Sequence, residues 1–290
     1  PQAFALKTIK EAYSLAALDV NFKATDDCGV VLKYLPNEPV YVVQGSENNI
    51  KVTYELDLFI ADKLFQLKHI ELLSGHPHEL LNGKVMVIFG GSYGIGHEIG
   101  QIASKANAKV YSFSRSQNGV DVKDFKAVQK AIQDVIAKEG KIDYVVNSAA
   151  LLNKEPLMNM DAETLNEVID VNFKGMVHVA RASFNALKES KGHFLLFTSS
   201  SYTRGRASYS IYSSTKAAAV NFTQAIAEEW KEFGIRVNCV NPERTKTPMR
   251  ISNFGDEPED SLLKPRVVAE IAINTLLSDF TGQVVYVKKS

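Results

Sequence analysis

Tyr212 and Lys216, within Tyr212-Ser213-Ser214-Thr215-Lys216, are the residues of this chain whose types and spacing say most about chemistry. Four positions apart on a helix, a phenol and an ammonium share one face, a single turn from each other. A free tyrosine has a pKa of about 10, too high for efficient proton exchange near neutral pH. A neighbouring cation favours the phenolate and lowers that value, as a general acid serving a developing alkoxide requires. Ser199, thirteen residues before Tyr212 in Thr198-Ser199-Ser200-Ser201, ends an apolar segment and offers a hydroxyl for the same oxygen. With 11 tyrosines in a lysine-rich chain, such a pair also arises by chance, so its setting must carry the argument.

A second constellation is Phe89-Gly90-Gly91-Ser92-Tyr93-Gly94-Ile95-Gly96, between an apolar run and an amphipathic one. Glycines allow a tight turn and let backbone N–H groups approach a pyrophosphate, to which a helix N-terminus adds partial positive charge. The next apolar run ends Ser112-Phe113-Ser114-Arg115-Ser116. An acidic residue there would accept hydrogen bonds from the adenosine ribose of NAD. Small Ser114 beside Arg115 instead leaves room and charge for a 2′-phosphate, so NADP(H) is the expected cofactor.

These residues need a scaffold, and from Lys84 onward apolar strands alternate with amphipathic helices. Strands are expected at Val85–Phe89, Val110–Ser114, Tyr144–Asn147, His193–Thr198, Arg236–Val240 and Val284–Val287. Helices are expected at Ile95–Ala106, Asp124–Lys138, Leu165–Leu187 and Tyr212–Phe233. The alternation predicts an α/β fold with a Rossmann-type, doubly wound parallel sheet. The site residues then fall at strand ends or at helix starts.

The spacing of Gly90, Gly94 and Gly96 resembles the short-chain dehydrogenase family, with Phe89 where a Thr usually precedes the first Gly. Asp121-Val122 resembles that family's adenine contact. Asn147-Ser148-Ala149-Ala150 resembles its Asn-Asn-Ala-Gly turn, with two departures. Asn172, Ser199, Tyr212 and Lys216 fall in the order of the family's catalytic tetrad, and Gly205 sits where a glycine is common. Asn241-Pro242-Glu243-Arg244-Thr245-Lys246-Thr247-Pro248 resembles the Pro-Gly-x-x-x-Thr loop over the nicotinamide. There Pro242, Thr245 and Thr247 would contact cofactor, and Glu243 replaces the usual Gly. The resemblance covers residues 83–290. It implies ketone reduction: hydride goes to a carbonyl carbon while Tyr212 gives the alkoxide a proton. It also implies that Ser199 hydrogen-bonds the substrate oxygen, that Lys216 holds the nicotinamide ribose, and that Asn172 orders a relay water.

The opening segment reads differently. Helices at Leu6–Ala16 and Asp57–Leu67 and strands at Val40–Gln44 and Lys51–Thr53 make about 70 residues, too few for a comfortable core. We expect a domain at 1–73, a linker at 74–82 containing His76 and His78, and the second domain at 83–290. The two histidines have no Cys- or carboxylate-rich company, so a solvated linker is expected and no metal site. Pro1-Gln2-Ala3-Phe4, Thr25-Asp26-Asp27, Gly45 to Thr53 and Asp57 to Ala61 resemble the C-terminal third of sugar-alcohol-phosphate cytidylyltransferases, a partial α/β nucleotidyltransferase domain. Asp26 and Lys51 would be its site residues, Lys51 near the nucleotide phosphates. That family's N-terminal glycine-rich loop does not occur in these residues, and with no initiator Met the sequence reads as the middle of a longer chain.

A cytidylyltransferase joined to a short-chain reductase resembles a bifunctional family of bacterial capsule synthesis. The resemblance implies NADPH-dependent conversion of D-ribulose 5-phosphate to D-ribitol 5-phosphate, and CTP as substrate of the complete transferase, giving CDP-ribitol. Arg204, Arg206, Glu243 and Arg244 would meet the sugar phosphate, with Lys246 and Arg250 nearby, since guanidinium groups donate paired hydrogen bonds to phosphate. Two readings compete: a reductase of another ketone, and a non-catalytic Rossmann domain supporting a transferase dimer, suggested by Phe89 and Glu243. A formal charge of zero argues against a nucleic-acid or membrane-surface partner. No apolar run approaches the roughly 20 residues that span a bilayer. Cys28 and Cys239 have no metal-type spacing, so a reduced cytoplasmic setting is expected. Both families usually form dimers or tetramers.

Overall fold

The computed structural model describes residues 2–23, 26–45, 49–67 and 78–289, the side chains of 62–67 excepted. The chain divides into two units, residues 1–61 and 62–290.

In the first unit, α1 (Leu6–Ala16) packs on α2 (Asp27–Tyr34). Ala12, Ala16, Val30 and Val31 are buried between them, with Phe4, Ile9 and Phe22 against this small core. Asp26 caps α2 by accepting from the Gly29 amide at 2.7 Å, and Gln2 donates to the same carboxylate at 3.1 Å. A third helix, α3 (Glu55–Leu67), starts two residues earlier than expected. The strands expected at Val40–Gln44 and Lys51–Thr53 do not form: these residues are irregular, with no ladder partner among the described residues. Short segments gain strand stability only from neighbours. Here Tyr41, Val42 and Val43 are 82%, 98% and 84% exposed, so no packed face holds a register. Lys51 is exposed on this irregular chain.

The second unit is a six-stranded parallel sheet, β1 (Val85–Phe89), β2 (Lys109–Phe113), β3 (Tyr144–Asn147), β4 (His193–Phe197), β5 (Arg236–Pro242) and β6 (Val284–Val287). Its order is β2-β1-β3-β4-β5-β6. In chain order its helices are α4 (Gly94–Lys105), α5 (Arg115–Asn118), α6 (Phe125–Glu139), α7 (Ala162–Ile169), α8 (Gly175–Ser190), α9 (Ser210–Trp230), α10 (Pro248–Phe254) and α11 (Pro265–Leu277). Successive strand side chains point to opposite faces. Val85, Val87 and Phe89 therefore enter the core that also holds residues of α6, α8 and α9, while Met86 and Ile88 enter the one that holds residues of α4 and α11. Covering both faces is why these strands read as unbroken apolar runs. Each fully buried Val, Ile or Phe stabilises by about 1.5–3 kcal/mol.

Three boundaries differ from expectation in ways that matter. The helix expected at Leu165–Leu187 is two helices, α7 and α8, joined by a π turn at Asp170–Lys174. Strand β2 stops at Phe113, because Ser114 turns to cap α5 and accepts from the Gln117 amide at 3.2 Å. His78–Leu81, within the expected linker, forms a 3-10 turn whose Leu81 is fully buried against the α4/α11 side of the sheet. Residues 74–77, His76 included, lie outside the described residues. Among the described residues no helix is long and apolar enough to cross a membrane.

Candidate active site

A cavity of about 940 Å³ is lined by residues that follow β1 (Gly90), β3 (Ser148, Ala149), β4 (Ser199) and β5 (Glu243, Arg244). From β1 the chain goes to β2 on one side, while β3 lies on its other side. That reversal opens a crevice beyond the carboxyl ends of the strands, where ligands of such sheets bind.

The glycine loop is shaped by what a side chain would strike. Gly90 has φ +85°, and a Cβ there would lie 2.4 Å from the Ala149 nitrogen. A Cβ on Gly96 would lie 2.2 Å from Ser148 Oγ and 2.6 Å from the Gly90 oxygen. Ser148 braces the loop, its hydroxyl donating to the Phe89 and Gly90 carbonyls at 3.0 and 3.1 Å. Tyr93, at the start of α4, makes no side-chain cap, so the first amides of that helix, which lack intrahelical partners, are left for an anion. Ser92, Tyr93, Gly94 and Ile95 all line the cavity. This cradle, kept open by missing Cβ atoms, fits a dinucleotide pyrophosphate.

Beyond it, Ser114, Arg115, Asp121 and Val122 line the same cavity. Arg115 is already partnered: its guanidinium lies 2.8 Å from Glu167 on α7. Lys123 also donates to Glu167 and sits 3.7 Å from Asp121. Lys123 and then Arg115 hold the Glu167 carboxyl below the usual range.

At the other end, Ser199, Tyr212 and Lys216 share the wall. Thr198 Oγ1 donates to the Lys216 carbonyl at 2.7 Å and ties α9 to the end of β4. Lys216 is buried, its Nζ donating to the Phe197 carbonyl at 3.0 Å and lying 5.6 Å from the centre of the Tyr212 ring. Burial pushes this ammonium down to about 8. Burial also pushes the Tyr212 phenol up to about 12, against the hydrogen bond with Ser199 that lowers it. Desolvation outweighs its neighbours, and Lys216 is committed to a backbone carbonyl.

Asn172 stands in the π turn and does not line the cavity. Its side chain clamps Leu151, accepting from the amide at 2.7 Å and donating to the carbonyl at 2.8 Å. It also donates to Thr215 Oγ1 at 3.2 Å, and Thr215 donates to the Tyr212 carbonyl at 2.8 Å. Asn147 is likewise withdrawn, accepting from the Ala149 amide at 3.2 Å.

The loop after β5 brings Pro242, Glu243, Arg244, Thr245 and Thr247 to the cavity. Thr247 caps α10 by accepting from the Arg250 amide at 3.2 Å, and its methyl group approaches the open face of Gly94. Glu243 does not crowd the loop: its carboxylate accepts from the Lys289 amide at 3.1 Å. Arg250 grips Glu257 with paired contacts of 2.6 and 2.8 Å, and Arg244 reaches the same carboxylate at 3.6 Å. Arg204 and Arg206 are both exposed, and only Arg206 lines the cavity. Lys246 pairs with Glu259 at 2.9 Å outside the cavity. In the first unit Asp26 is spent on its helix cap.

Sequence reasoning passed over Ser148, Tyr209, Phe254 and Glu257. The Tyr209 ring meets those of Tyr212 and Phe254 edge-on at 6.3 and 6.0 Å. The three-residue spacing of Tyr209 and Tyr212 was a usable signal; nothing local marks Glu257.

Residues 117–258 match the family model described as short chain dehydrogenase, and residues 1–67 that described as 2-C-methyl-D-erythritol 4-phosphate cytidylyltransferase. The chain is 51% identical over 289 residues to a bifunctional ribulose 5-phosphate reductase/CDP-ribitol pyrophosphorylase of Haemophilus influenzae, covering 98% of this chain and 60% of that protein. It is 31% identical over 217 residues to an uncharacterized oxidoreductase of Staphylococcus saprophyticus, covering 68% of this chain and 92% of that one. A solved 3-ketoacyl-(acyl-carrier-protein) reductase from Brucella melitensis, complexed with NADH, has a TM-score of 0.66 at 26% identity, over 71% of this chain and 97% of that chain. From Lys84 onward the sheet order, the glycine cradle and the oxidoreductase relatives agree, and the chain belongs to the short-chain dehydrogenase family.

Proposed function

We propose that the second unit reduces the ketone of a pentulose phosphate with NADPH, most specifically D-ribulose 5-phosphate to D-ribitol 5-phosphate. In this reading the first segment belongs to a cytidylyltransferase that, when complete, makes CDP-ribitol from CTP. The protein works in the cytoplasm as a dimer or tetramer. One observation carries the reductase reading: Ser199, Tyr212 and Lys216 line the same cavity as the glycine cradle.

The nicotinamide, when bound, supplies the hydride for the carbonyl carbon. The chain's own residues do the rest. Gly90, Gly94 and Gly96 leave the backbone open to the pyrophosphate, with amides from Ser92 to Ile95 beside it. Asp121 and Val122 would flank the adenine, and Pro242, Thr245 and Thr247 would hold the nicotinamide end. Ser114, Arg115 and Ser116 line the part of the cavity that would take a 2′-phosphate, with Arg115 supplying the cation. Ser199 Oγ donates a hydrogen bond to the substrate oxygen and Tyr212 Oη gives it a proton. Lys216 sets its charge 5.6 Å from the centre of the Tyr212 ring and would hold the nicotinamide ribose. Asn172 acts at one remove, holding Leu151 and Thr215 so that the start of α9 keeps its place.

The test is to mix the protein with NADPH and ribulose 5-phosphate and follow the loss of dihydronicotinamide absorbance. Oxidation is the expected result. Oxidation only with other ketones would move the substrate, and none with any carbonyl would leave a non-catalytic domain. Tyr212→Phe should lower kcat by about 10²–10⁴, the usual range for a lost general acid. Equal efficiency with NADH would overturn the role given to Arg115.

A further inference from the structure

Six cationic residues line the cavity: Arg115, Arg206, Lys216, Arg244, Arg250 and Lys289. Four already have partners. Arg115 pairs with Glu167, Arg244 and Arg250 share Glu257, and Lys216 donates to the Phe197 carbonyl. Among the described residues Arg206 and Lys289 have no ion pair. A dianionic ligand gains most from cations that need not first release a carboxylate, since breaking an existing pair offsets the new one.

Lys289 reaches this wall because the segment that follows β6 is held there. Strand β6 pairs with β5 as far as Pro242 opposite Val287. The Glu243 amide donates to the Val287 carbonyl at 2.9 Å, and its carboxylate then accepts from the Lys289 amide at 3.1 Å. A glycine at 243, as the family pattern has it, would offer no side-chain acceptor to the Lys289 amide. Carboxylates accept strong hydrogen bonds from backbone amides, so this contact is suited to fixing the segment after β6.

We propose that Glu243 is a positioning residue that pins the segment after β6 at the cavity, so that Lys289 and Arg206 together receive the phosphate of a phosphorylated ketone. The inference rests on the reductase reading above and names the group that would select its substrate. Its sign is specific. The acceptor oxygen of Glu243 is useful, whereas its negative charge opposes the ligand.

The experiment compares kcat/KM for ribulose 5-phosphate with that for unphosphorylated ribulose, in the full chain with NADPH. Lys289→Met should lower this ratio about tenfold, the worth of one charge-assisted contact at a partly exposed site. Glu243→Ala should lower it similarly, mainly through KM, while Glu243→Gln, which keeps an acceptor and removes the charge, should hold or raise it. A wild-type ratio in both Lys289→Met and Glu243→Ala overturns the proposal and leaves the reductase reading standing. A wild type that reduces ketones with no preference for the phosphorylated sugar also overturns it. A wild type that reduces no ketone overturns the reductase reading and the proposal with it.

Discussion

Acid should destabilise this protein through one buried histidine, and the size of the effect follows from its contacts. His193, on the strand that leads to Ser199, is fully buried. Its Nδ1 lies 3.1 Å from the Leu276 carbonyl and its Nε2 lies 2.8 Å from Asn238 Nδ2. The orientation of Asn238 is fixed by the backbone: its amide nitrogen also donates to the Phe280 carbonyl at 2.8 Å, and its oxygen accepts from the Gln283 amide at 2.9 Å. The ring must therefore carry its proton on Nδ1 and accept at Nε2. A second proton would point at a donor inside an apolar sheet. Burial, aided by Arg236, pushes the imidazole down to about 3 from 6.5. Between those values the unfolded chain binds the extra proton and the folded one does not, so stability falls as pH drops below 6.5. At pH 5 the loss is 1.36 kcal/mol times log(1 + 10^1.5), about 2 kcal/mol, and it hardly depends on how far below 4 the folded value lies. Urea unfolding of the wild type and of His193→Gln, each at pH 8 and pH 5, isolates this contribution, because the carboxylates are common to both. The wild type should lose about 2 kcal/mol more than the variant. Equal losses would refute the reasoning, and so would a larger loss in the variant.

Two further outcomes are expected. Gly96→Ala forces a methyl group to within 2.2 Å of Ser148 Oγ and 2.6 Å of a backbone oxygen. Overpacking of this kind costs about 1–3 kcal/mol, or about 5- to 150-fold in the dissociation constant of NADPH by fluorescence titration; adding Ser148→Ala should recover only part, since the Gly90 oxygen cannot move aside. Asn172→Ala leaves both the amide and the carbonyl of Leu151 without the side chain that binds them, and should lower stability by about 1–3 kcal/mol in thermal unfolding, with kcat falling as well; Asn172→Asp, which keeps the acceptor, should lie between.

Much of the second unit was legible because periodicity and chemistry coincide there. Val85–Phe89, Tyr144–Asn147 and Val284–Val287 have the expected bounds, being apolar runs buried on both faces. Tyr212, Lys216 and Ser199 were readable because a helix and a strand end convert their spacing directly into position. Contacts across the fold were not. Nothing near Arg115 announces Glu167, fifty-two residues away, and nothing in the tail announces its bond to Glu243. The surroundings of Tyr212 were half legible for a related reason: spacing shows a neighbouring charge, but not the depth that sets desolvation. The strands expected at Val40–Gln44 and Lys51–Thr53 failed because β-branched residues only permit a strand, and pairing must supply the rest.

The π turn at Asp170–Lys174 has an evolutionary corollary. It adds a residue to what would otherwise be one continuous spiral from Ala162 to Ser190. Excising a single residue there would restore an ordinary α-helix and leave the faces downstream nearly where they are, because the wide turn already absorbs the extra residue. Met176, Val179 and Ala180 would stay against the sheet, and the loss would fall on the local bulge that holds Asn172 against Leu151. A one-residue insertion into the regular turns of α8 has no such buffer and would rotate the residues after it by about 100°.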